Sequence, residues 1–575
     1  MPRAVLTLTI LGLCLFAAAA RMWNWRDVFV DGRIYFVDAD CYSRMTRARL
    51  VADGEVFVIR QHDFENWPQG TRPHTTAPMD WAIVVLKRTL DFGFGIFDRG
   101  ATSVLHGQTL DLAGALISPL FGVMTCGFLG VWASRLRIGG NLAPPLFAAI
   151  SPILVHGMVL GRPDHQSLLI LLAAVALAAE FSLAGTLSMG WGIIAGSAWA
   201  LALWVSLYEP LILFAIVAGF WLVCDRRRFF AREMRAGWIA FGVVVLAALT
   251  MDGWRVSWPD ATLRAAFANW EKTIGELAHL DPRRPLLYRW LGAGILLAPL
   301  ALIFITVRAR RSSDESSPRA PVLALVLLVA TFALTVWQLR WGYFLAVIFS
   351  LSLPWQFAAV RRAWIAWPVF LLALWPLAQD WDEKVFPDDH PELELETKRG
   401  VLRLEAVRLR EVAVAMRSRD RRPFLAPWWL SPALAYWSGQ PGVAGSSHQS
   451  LPGIVATARF FLAPDAAEAE RIVRELGVKW IVTDDPDRLV ATSRALLGGR
   501  EEKALSFVAH LHEVAEPRER VTPDDLRAAT PEARAKLAEL ADRAEAAQLG
   551  SAAFSCVSSN QFYKLFSVKT STPTP

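Results

Sequence analysis

The sequence predicts a polytopic α-helical membrane bundle followed by a smaller mixed α/β domain outside the membrane. Of its 575 residues, 54% are hydrophobic and only 19% are charged, a composition that argues against a fully soluble or disordered chain. Apolar runs of about 20 residues, the length that crosses the hydrocarbon core as a helix, recur through the first two-thirds of the chain. Arginine clusters fall in alternate connections between these runs, as expected for a multi-pass protein.

The apolar runs predict about 11 membrane-spanning helices, with 11 to 13 compatible with the pattern. They lie near residues 4–20, 109–132, 143–160, 167–184, 191–207, 211–224, 237–250, 290–307, 321–339, 341–360 and 364–379. We expect the first run to be retained as a helix, although Ala17 to Ala20 are compatible with a signal-peptide cleavage site. Together these runs define a transmembrane domain over residues 1–380.

Basic residues predict the orientation of the bundle. Arginines concentrate in the connections at 135–137, 226–235, 308–311 and 361–362 and, together with Arg3, satisfy the positive-inside rule when placed in the cytoplasm. The proposed cytoplasmic segments hold fourteen basic and four acidic residues, a net +10 within a chain whose total is +6. The excess of basic residues therefore reflects the orientation of the chain in the membrane, and we expect no nucleic-acid partner. The expected location is the cell inner (cytoplasmic) membrane.

The remaining connections are then external. Segments 21–108 and 251–289 form long external loops, and an odd number of spans places residues 381–575 on the same, external or periplasmic, side. This tail combines two helical patterns with two strand-like runs, at Glu396–Met416, Pro531–Gln548, 479–483 and 562–568. The combination predicts a mixed α/β domain.

Acidic residues in the first external loop are the first candidates for metal ligands or catalytic residues. Asp38 and Asp40 follow directly after a strand-like run at 34–37. Carboxylates at positions i and i+2 can converge on a hard divalent cation such as Mg²⁺ or Mn²⁺. A turn or a helix cap is the structural alternative, because Asp is also a good N-cap residue.

Further charged residues fall on the same side of the bundle. Asp164 lies at a membrane boundary, where an acid is costly unless it is satisfied or solvated, and capping of a helix that begins at Ser167 is the alternative. Glu276 lies in the second long loop, where simple solvation is the alternative. Glu209 occupies an external turn and could equally cap the next helix. Arg340 is a basic residue at the outer boundary, which suggests anion binding.

Several motifs then occur in a fixed order along the chain. They are Asp38-Ala39-Asp40 with Tyr42 and Arg44, Asn66-Trp67-Pro68-Gln69-Gly70, Ala77-Pro78-Met79-Asp80-Trp81, Asp164-His165-Gln166, Thr273-Ile274-Gly275-Glu276, Arg340, Pro427-Trp428-Trp429-Leu430, Ala444-Gly445-Ser446-Ser447-His448 and Gly477-Val478-Lys479-Trp480-Ile481-Val482. This order resembles the catalytic subunit of the oligosaccharyltransferases, within the C class of membrane glycosyltransferases. The T-I-x-E and tail patterns are moderately specific, whereas the DxD is not.

The resemblance implies roles for these residues. The implied metal ligands for Mn²⁺ or Mg²⁺ are Asp40 and Asp164, with Asp38, His165 and Gln166 as further candidates. The implied catalytic residues are Asp40, Glu276, which completes the acceptor site, and Arg340, which holds the lipid diphosphate. The candidate substrate contacts are Tyr42, Arg44, Glu209, Trp428, Trp429 and His448.

Two departures from the family pattern affect these roles. Gln166 stands where a carboxylate would help to bind the metal. Leu430 replaces the Asp of the family's W-W-D motif, which contributes to reading the Ser/Thr hydroxyl of a sequon, and its loss removes a hydrogen bond worth about 1–3 kcal/mol in a buried site. The pattern therefore indicates a divergent bacterial paralogue, for which recognition of Asn-x-Ser/Thr is not implied.

The prediction is an integral-membrane glycosyltransferase that moves a glycan from a polyprenyl-diphosphate donor to an external protein, lipid or polysaccharide acceptor. One alternative is a C-class transferase that uses polyprenyl-monophosphate sugars on a lipid or cell-wall polymer. Another is a catalytically inactive paralogue or a lipid-glycan transporter. A transporter should carry ionisable groups at mid-bilayer, whereas the candidate acids cluster at one boundary and only Glu180 lies well inside an apolar run.

Overall fold

The computed structural model of the protein describes residues 2–97, 108–136, 138–253, 261–311, 319–360, 362–499, 507–514 and 553–569. Most of these residues are helical. The helices before residue 390 are α1 (Arg3–Arg21), α2 (Trp25–Val28), α3 (Ala39–Ala52), α4 (Ala77–Phe97), α5 (Thr109–Arg135), α6 (Ala143–Ile150), α7 (Pro152–Gly157), α8 (His165–Gly185), α9 (Met189–Val205), α10 (Tyr208–Cys224), α11 (Arg226–Phe229), α12 (Arg232–Asp252), α13 (Arg264–Glu271), α14 (Leu286–Leu291), α15 (Gly294–Arg311), α16 (Arg319–Trp337), α17 (Gly342–Val360), α18 (Ala363–Ala373) and α19 (Trp375–Val385).

Six helical segments in the described part of the chain are long and apolar enough to cross a membrane. They are α1, α5, α8, α12, α16 and the segment Leu339–Val360 that contains α17. Three further apolar helices, α9, α10 and α18, are shorter. Helices α8 and α17 are the most deeply buried of the six, and their side chains belong to the largest hydrophobic core cluster. The predicted polytopic helical architecture is confirmed, whereas the number of spans stays a prediction.

Three of the predicted spans are each divided into two helices. The run at 143–160 breaks between α6 and α7, because Pro152 has no N–H to donate and its ring excludes a continuous helix. The run at 290–307 breaks at Gly292, which has φ +74° and lies so close to α18 that a Cβ would be 2.4 Å from the Ala373 carbonyl oxygen. The run at 364–379 divides at Leu374, between α18 and α19.

The first long loop is more regular than its sequence pattern predicted. It contains α3 and also α4, a 21-residue helix that packs against α5. Helix α4 carries four charged residues, Asp80, Lys87, Arg88 and Asp91, so its apolar pattern is interrupted. The predicted strand at 34–37 is shorter than expected, because only Arg33–Ile34 (β2) pairs, in antiparallel fashion, with Phe29–Val30 (β1).

The tail forms a four-stranded mixed sheet with the order β3-β4-β6-β5. Its strands are β3 (Phe424–Leu425), β4 (Trp480–Thr483), β5 (Phe554–Ser559) and β6 (Lys564–Val568), and its helices are α20 (Leu395–Ala415), α21 (Ser431–Ser438), α22 (Leu451–Phe461), α23 (Ala466–Glu475), α24 (Pro486–Leu497) and α25 (Phe507–Val514). The predicted helix at 396–416 and both predicted strand-like runs correspond to α20, β4 and β6. The predicted helix at Pro531–Gln548 lies outside the described residues.

The tail packs directly on the first long loop. Helix α3 contacts α21, and the Trp67 indole N–H donates to the Leu476 carbonyl oxygen at 3.1 Å. Arg421 forms a bidentate ion pair with Asp63 at 2.6 and 2.7 Å. These contacts bring the tail over the residues of the first loop that were predicted to carry chemistry.

Helices α9 and α12 approach each other most closely at glycines. A Cβ on Gly196 would be 2.0 Å from the Gly237 carbonyl oxygen, and a Cβ on Gly237 would be 2.4 Å from the Gly192 carbonyl oxygen. Small residues at such positions allow the backbones of membrane helices to pack in direct contact. Gly242, further along α12, has no heavy atom within 4 Å of its Cβ position.

We expect Gly237→Ala to destabilise the protein by about 1–3 kcal/mol, because the added methyl group overpacks a backbone contact. Gly242→Ala, in the same helix, is the matched control and should be neutral or stabilise by about 0.5–1 kcal/mol. Thermal unfolding of the two purified variants in the same detergent measures the difference. Equal transition temperatures would contradict the close packing of α9 on α12.

Candidate active site

The first acidic motif forms the N-terminus of α3. Asp38 has an extended backbone and caps the helix, because its Oδ1 accepts a hydrogen bond from the Cys41 N–H at 3.0 Å. The capping alternative is therefore correct for Asp38. Asp40 lies in the first turn, where the helix dipole favours negative charge, and its side chain lines a polar cavity that also contains Asp164 and His165.

The second acidic motif forms the N-terminus of α8. Asp164 caps this helix: its Oδ1 accepts from the His165 N–H at 2.7 Å and lies 2.5 Å from His165 Nδ1. The chain enters this turn at Gly161, whose φ of +76° is strained for other residues and whose Cβ would be 2.7 Å from Val28 Cγ2. The Gly161 carbonyl oxygen accepts from Val37 N–H at 3.0 Å, which joins this turn to the segment preceding Asp38.

The two acids differ in their ionisation. The Asp40 side chain is accessible from the cavity, but the surrounding protein, together with the charges of Asp38 and Asp164, raises its pKa to about 8. Burial alone would raise the pKa of Asp164 as well. The charge and hydrogen bond of His165, with the charges of Arg162 and Arg44, outweigh burial and hold this pKa well below its ordinary value. Asp164 is therefore the ionised partner, and Asp40 is the acid that exchanges a proton near neutrality.

Arg162 connects acidic residues from different loops. Its Nη2 lies 2.8 Å from Glu276 Oε1 and 3.7 Å from Asp38 Oδ2, and its Nη1 lies 3.1 Å from His156 Nε2. Arg162 is almost fully buried, whereas the Asp38 and Glu276 side chains are each 37% exposed, so solvent screens the two ion pairs in part. Glu276 thus lies on the same side as the other acidic residues, as predicted. The sequence analysis assigned no role to Arg162, which binds Glu276.

Arg340 and Glu209, predicted separately, form one ion pair. Glu209 is completely buried in the first turn of α10, where Ser206 Oγ donates to it at 3.3 Å. The Arg340 guanidinium also lies over the Tyr208 ring, 5.5 Å from its centre, and its Nε is buried without a hydrogen bond in the described part of the chain. Arg340 is therefore held by a carboxylate and an aromatic ring beside the acidic cluster.

The tail contributes a second, largely apolar pocket. Trp428 lies edge-on to Trp270, with ring centres 6.1 Å apart, and both line this pocket together with Trp429 and Thr273. The Trp429 N–H donates to Asp484 Oδ2 at 3.1 Å. Leu430 is buried in the hydrophobic core and does not belong to the pocket lining.

The remaining predicted substrate contacts occupy three environments. Tyr42 is buried among aromatic side chains and accepts a hydrogen bond from the Phe36 N–H at 3.0 Å. Arg44 lines the polar cavity and pairs with Asp80 at 2.7 Å. His448 packs against His74, with ring centres 4.8 Å apart, and burial lowers the pKa of His448 to about 4. His74 also contacts His165, so it is a cavity residue that the sequence analysis did not select.

The polar cavity contains oxygen atoms that could bind a divalent cation. Within the residues that the structure describes, no group of three or more His, Cys, Asp or Glu side chains is arranged to hold a metal ion. Asp40 and Asp164 nevertheless line one cavity, and Gln166 Oε1, in the first turn of α8, is buried without a hydrogen bond. Two carboxylates in one cavity are oxygen ligands of the kind that a hard cation such as Mg²⁺ or Mn²⁺ prefers, and such a cation completes its shell with water and substrate oxygens.

Comparison with known proteins supports the fold. No protein-family model matches the sequence, and no curated protein matches it. The structure is similar to the Archaeoglobus fulgidus oligosaccharyltransferase tethered to an acceptor peptide with an NVT sequon, with a TM-score of 0.60 and 14% identity over 84% of this chain and 69% of that chain. It is also similar to the archaeal oligosaccharyltransferase AglB from Archaeoglobus fulgidus in complex with an inhibitory peptide and a dolichol-phosphate, with a TM-score of 0.56 and 14% identity over 88% and 72%. The chain therefore has the membrane fold of the oligosaccharyltransferases.

The opposite pKa shifts of the two acids predict opposite pH effects. The pKa of Asp40 is higher in the folded protein than in the unfolded chain. In metal-free buffer, ionisation of Asp40 therefore destabilises the native state, and stability falls as pH rises from about 4 to 8. Asp40→Asn should therefore have a higher Tm than the parent at pH 8.5, by about 1 °C for each kcal/mol of stabilisation in a chain of 575 residues. The gain should be smaller at pH 5.

Asp164→Asn is the matched control for this experiment. The lowered pKa of Asp164 contributes stability that is fully present above pH 4. Its substitution should therefore lower Tm at both pH 5 and pH 8.5, and by less at pH 8.5, where it also removes the repulsion between Asp164 and ionised Asp40. A pH-independent effect of Asp40→Asn would contradict the raised pKa.

Proposed function

We propose that the protein is an integral-membrane glycosyltransferase that moves a glycan from a polyprenyl-diphosphate donor to an acceptor on the external side of the membrane. The observation that carries this proposal is the convergence of Asp40 and Asp164, from segments more than 120 positions apart, on one polar cavity. The fold that the chain shares with oligosaccharyltransferases solved with an acceptor peptide or a dolichol-phosphate supports the same reaction class.

Asp40, Asp164 and Gln166 would hold Mn²⁺ or Mg²⁺. When bound, the cation supplies Lewis-acid polarisation of the donor. Asp38 contributes by capping α3, which fixes the direction of Asp40. His165 contributes by binding Asp164 Oδ1, since a ligating carboxylate is normally oriented by such a partner.

The acceptor side centres on Glu276. Its carboxylate can accept a hydrogen bond or a proton from the attacking nucleophile, and the ion pair with Arg162 fixes its position. Trp428 and Trp429 would bind the adjoining part of the acceptor. Leu430 has no carboxylate and is buried in the core. We therefore propose an acceptor that is recognised without the carboxylate by which oligosaccharyltransferases read the sequon.

The donor side centres on Arg340. Negative charge develops on the leaving lipid diphosphate as the glycosidic bond breaks, and a fixed guanidinium stabilises that charge. The lipid diphosphate would displace Glu209 from Arg340, because both anions compete for the same cation.

The activity test uses purified protein, Mn²⁺ and a polyprenyl-diphosphate glycan, with lipid-diphosphate release as the readout in the presence and absence of candidate acceptors. Asp40→Ala and Glu276→Ala should each lower release by about 10²–10⁴-fold, because each removes a group that acts in proton transfer or charge stabilisation. Asp382→Asn, an exposed acid in α19, is the control and should behave like the parent. Metal-independent release, or release unchanged in both alanine variants, would refute the proposal.

The Arg340–Glu209 pair predicts opposite effects on binding of undecaprenyl diphosphate. Arg340→Gln should weaken binding by about 10–100-fold, because a hydrogen bond to a charged group contributes about 1.5–3 kcal/mol. Glu209→Gln should strengthen it, since the competing anion is removed. Titration calorimetry in detergent measures both. Weaker binding in Glu209→Gln would mean that Glu209 orients Arg340 and does not compete with the ligand.

A further inference from the structure

The guanidinium of Arg162 has a hydrogen-bond partner besides the acids. Its Nη2 lies 2.8 Å from Glu276 Oε1, whereas its Nη1 lies 3.1 Å from His156 Nε2. His156 Nδ1 in turn lies 2.9 Å from the hydroxyl oxygen of Tyr343, in the first turn of α17. Tyr343, His156 and Arg162 therefore form a hydrogen-bonded chain that ends at Glu276.

The direction of these hydrogen bonds follows from the hydrogens that each group carries. A guanidinium can only donate, so His156 Nε2 must accept from Arg162 and the imidazole is neutral. A neutral imidazole carries its hydrogen on the other nitrogen, and His156 Nδ1 therefore donates to the Tyr343 oxygen. Both ring nitrogens of His156 are thus engaged within the protein, which suits a residue that positions Arg162 better than one that binds substrate.

The packing around α7 allows this chain to form. A Cβ on Gly157 would be 2.9 Å from Tyr343 Cε1, so the absence of a side chain there lets the Tyr343 ring lie against α7. The rings of His156 and Tyr343 are nearly parallel, with an angle of 6° and centres 6.2 Å apart. Tyr343 and Arg162 are buried, whereas His156 is exposed. The surrounding protein therefore fixes both partners, and the exposed imidazole joins them.

The position of the Glu276 carboxylate depends on Arg162. Among the described residues, Arg162 is the one hydrogen-bond partner of this carboxylate, and solvent screens their ion pair in part, because Glu276 is partly exposed. The backbone of Arg162 is fixed, since its carbonyl oxygen accepts from Ser118 Oγ in α5. Its long side chain can still adopt many rotamers, and the bond to His156 removes much of that freedom before a substrate binds.

We propose that His156 and Tyr343 are positioning residues, which direct the Arg162 guanidinium toward Glu276 and so place the Glu276 carboxylate for the acceptor. The inference rests on the proposed function, in which Glu276 accepts a hydrogen bond or a proton from the attacking nucleophile. It also gives the start of α17 two roles. Tyr343 lies three residues after Arg340, so one short segment carries the cation of the donor side and orients the carboxylate of the acceptor side.

The test measures release of lipid diphosphate by the full-length protein with Mn²⁺, from radiolabelled undecaprenyl diphosphate loaded with glucose, galactose or N-acetylglucosamine. His156→Leu removes both hydrogen bonds and should lower kcat by about tenfold, equivalent to about 1.4 kcal/mol, with KM for the lipid unchanged. Tyr343→Phe should lower kcat in the same direction by a smaller factor.

Two further variants serve as controls. His156→Gln carries a donor and an acceptor on one amide and should recover most of the loss seen in His156→Leu. Tyr288→Phe, at a half-buried position in α14, is the matched control for Tyr343→Phe and should behave like the parent.

A double-mutant cycle with Glu276 separates positioning from a structural role. If His156 acts through Arg162 on Glu276, His156→Leu should lower kcat in the parent and have no further effect in Glu276→Ala. An equal loss in both backgrounds, or an unchanged kcat in His156→Leu, refutes the inference and leaves the proposed function standing. Should His156→Leu lose its thermal unfolding transition, Tyr343→Phe takes its place in the cycle, because it removes a single oxygen atom. If Glu276→Ala releases lipid diphosphate as fast as the parent, or the parent releases none, both proposals fail.

Discussion

Repulsion between like charges is the constraint on which this site depends. Asp38, Asp40, Asp164 and Glu276 interact electrostatically within one small region, and two carboxylates about 5 Å apart repel by about 3 kcal/mol at an effective dielectric constant of 20. Arg162 offsets this repulsion, because one buried guanidinium reaches both Asp38 and Glu276. The left-handed turn at Gly161 places that arginine, so the acidic cluster and the path of the chain into α8 form a single structural unit.

The local features of the site were predictable because they depend on neighbouring residues. Helix caps at Asp38 and Asp164 follow from the preference of Asp for N-termini, and both caps formed. The pairing of Arg340 with Glu209, 131 positions earlier, was not predictable from spacing, although both residues had been selected. Arg162 was overlooked for the same reason, because its partners come from two other loops. Helix α4 was missed because its four charges interrupt the apolar pattern from which spans were predicted.

The two pockets differ in the polarity of their lining residues, as expected if they bind different parts of the two substrates of a transfer reaction. The polar cavity along α3 offers carboxylates, arginines and hydroxyl groups, whereas the pocket beside Trp428 is lined mostly by aromatic and aliphatic side chains. Thr273 belongs to the apolar pocket and lies three residues before Glu276 in the same loop. That loop therefore adjoins both the acidic cluster and the surface where the tail meets the membrane bundle. Leu430 lies in the core beneath this surface and is not among the residues that line the polar cavity.

The ion pair between Arg340 and Glu209 has a consequence for selectivity against small anions. A guanidinium that is already neutralised exerts little attraction on free phosphate or on other simple salts. Only a ligand that gains additional binding energy elsewhere, such as a polyprenyl chain in the bilayer, has enough free energy to displace the carboxylate. The pair would thus act as a threshold that keeps soluble anions away from the place that we propose for a membrane-bound donor.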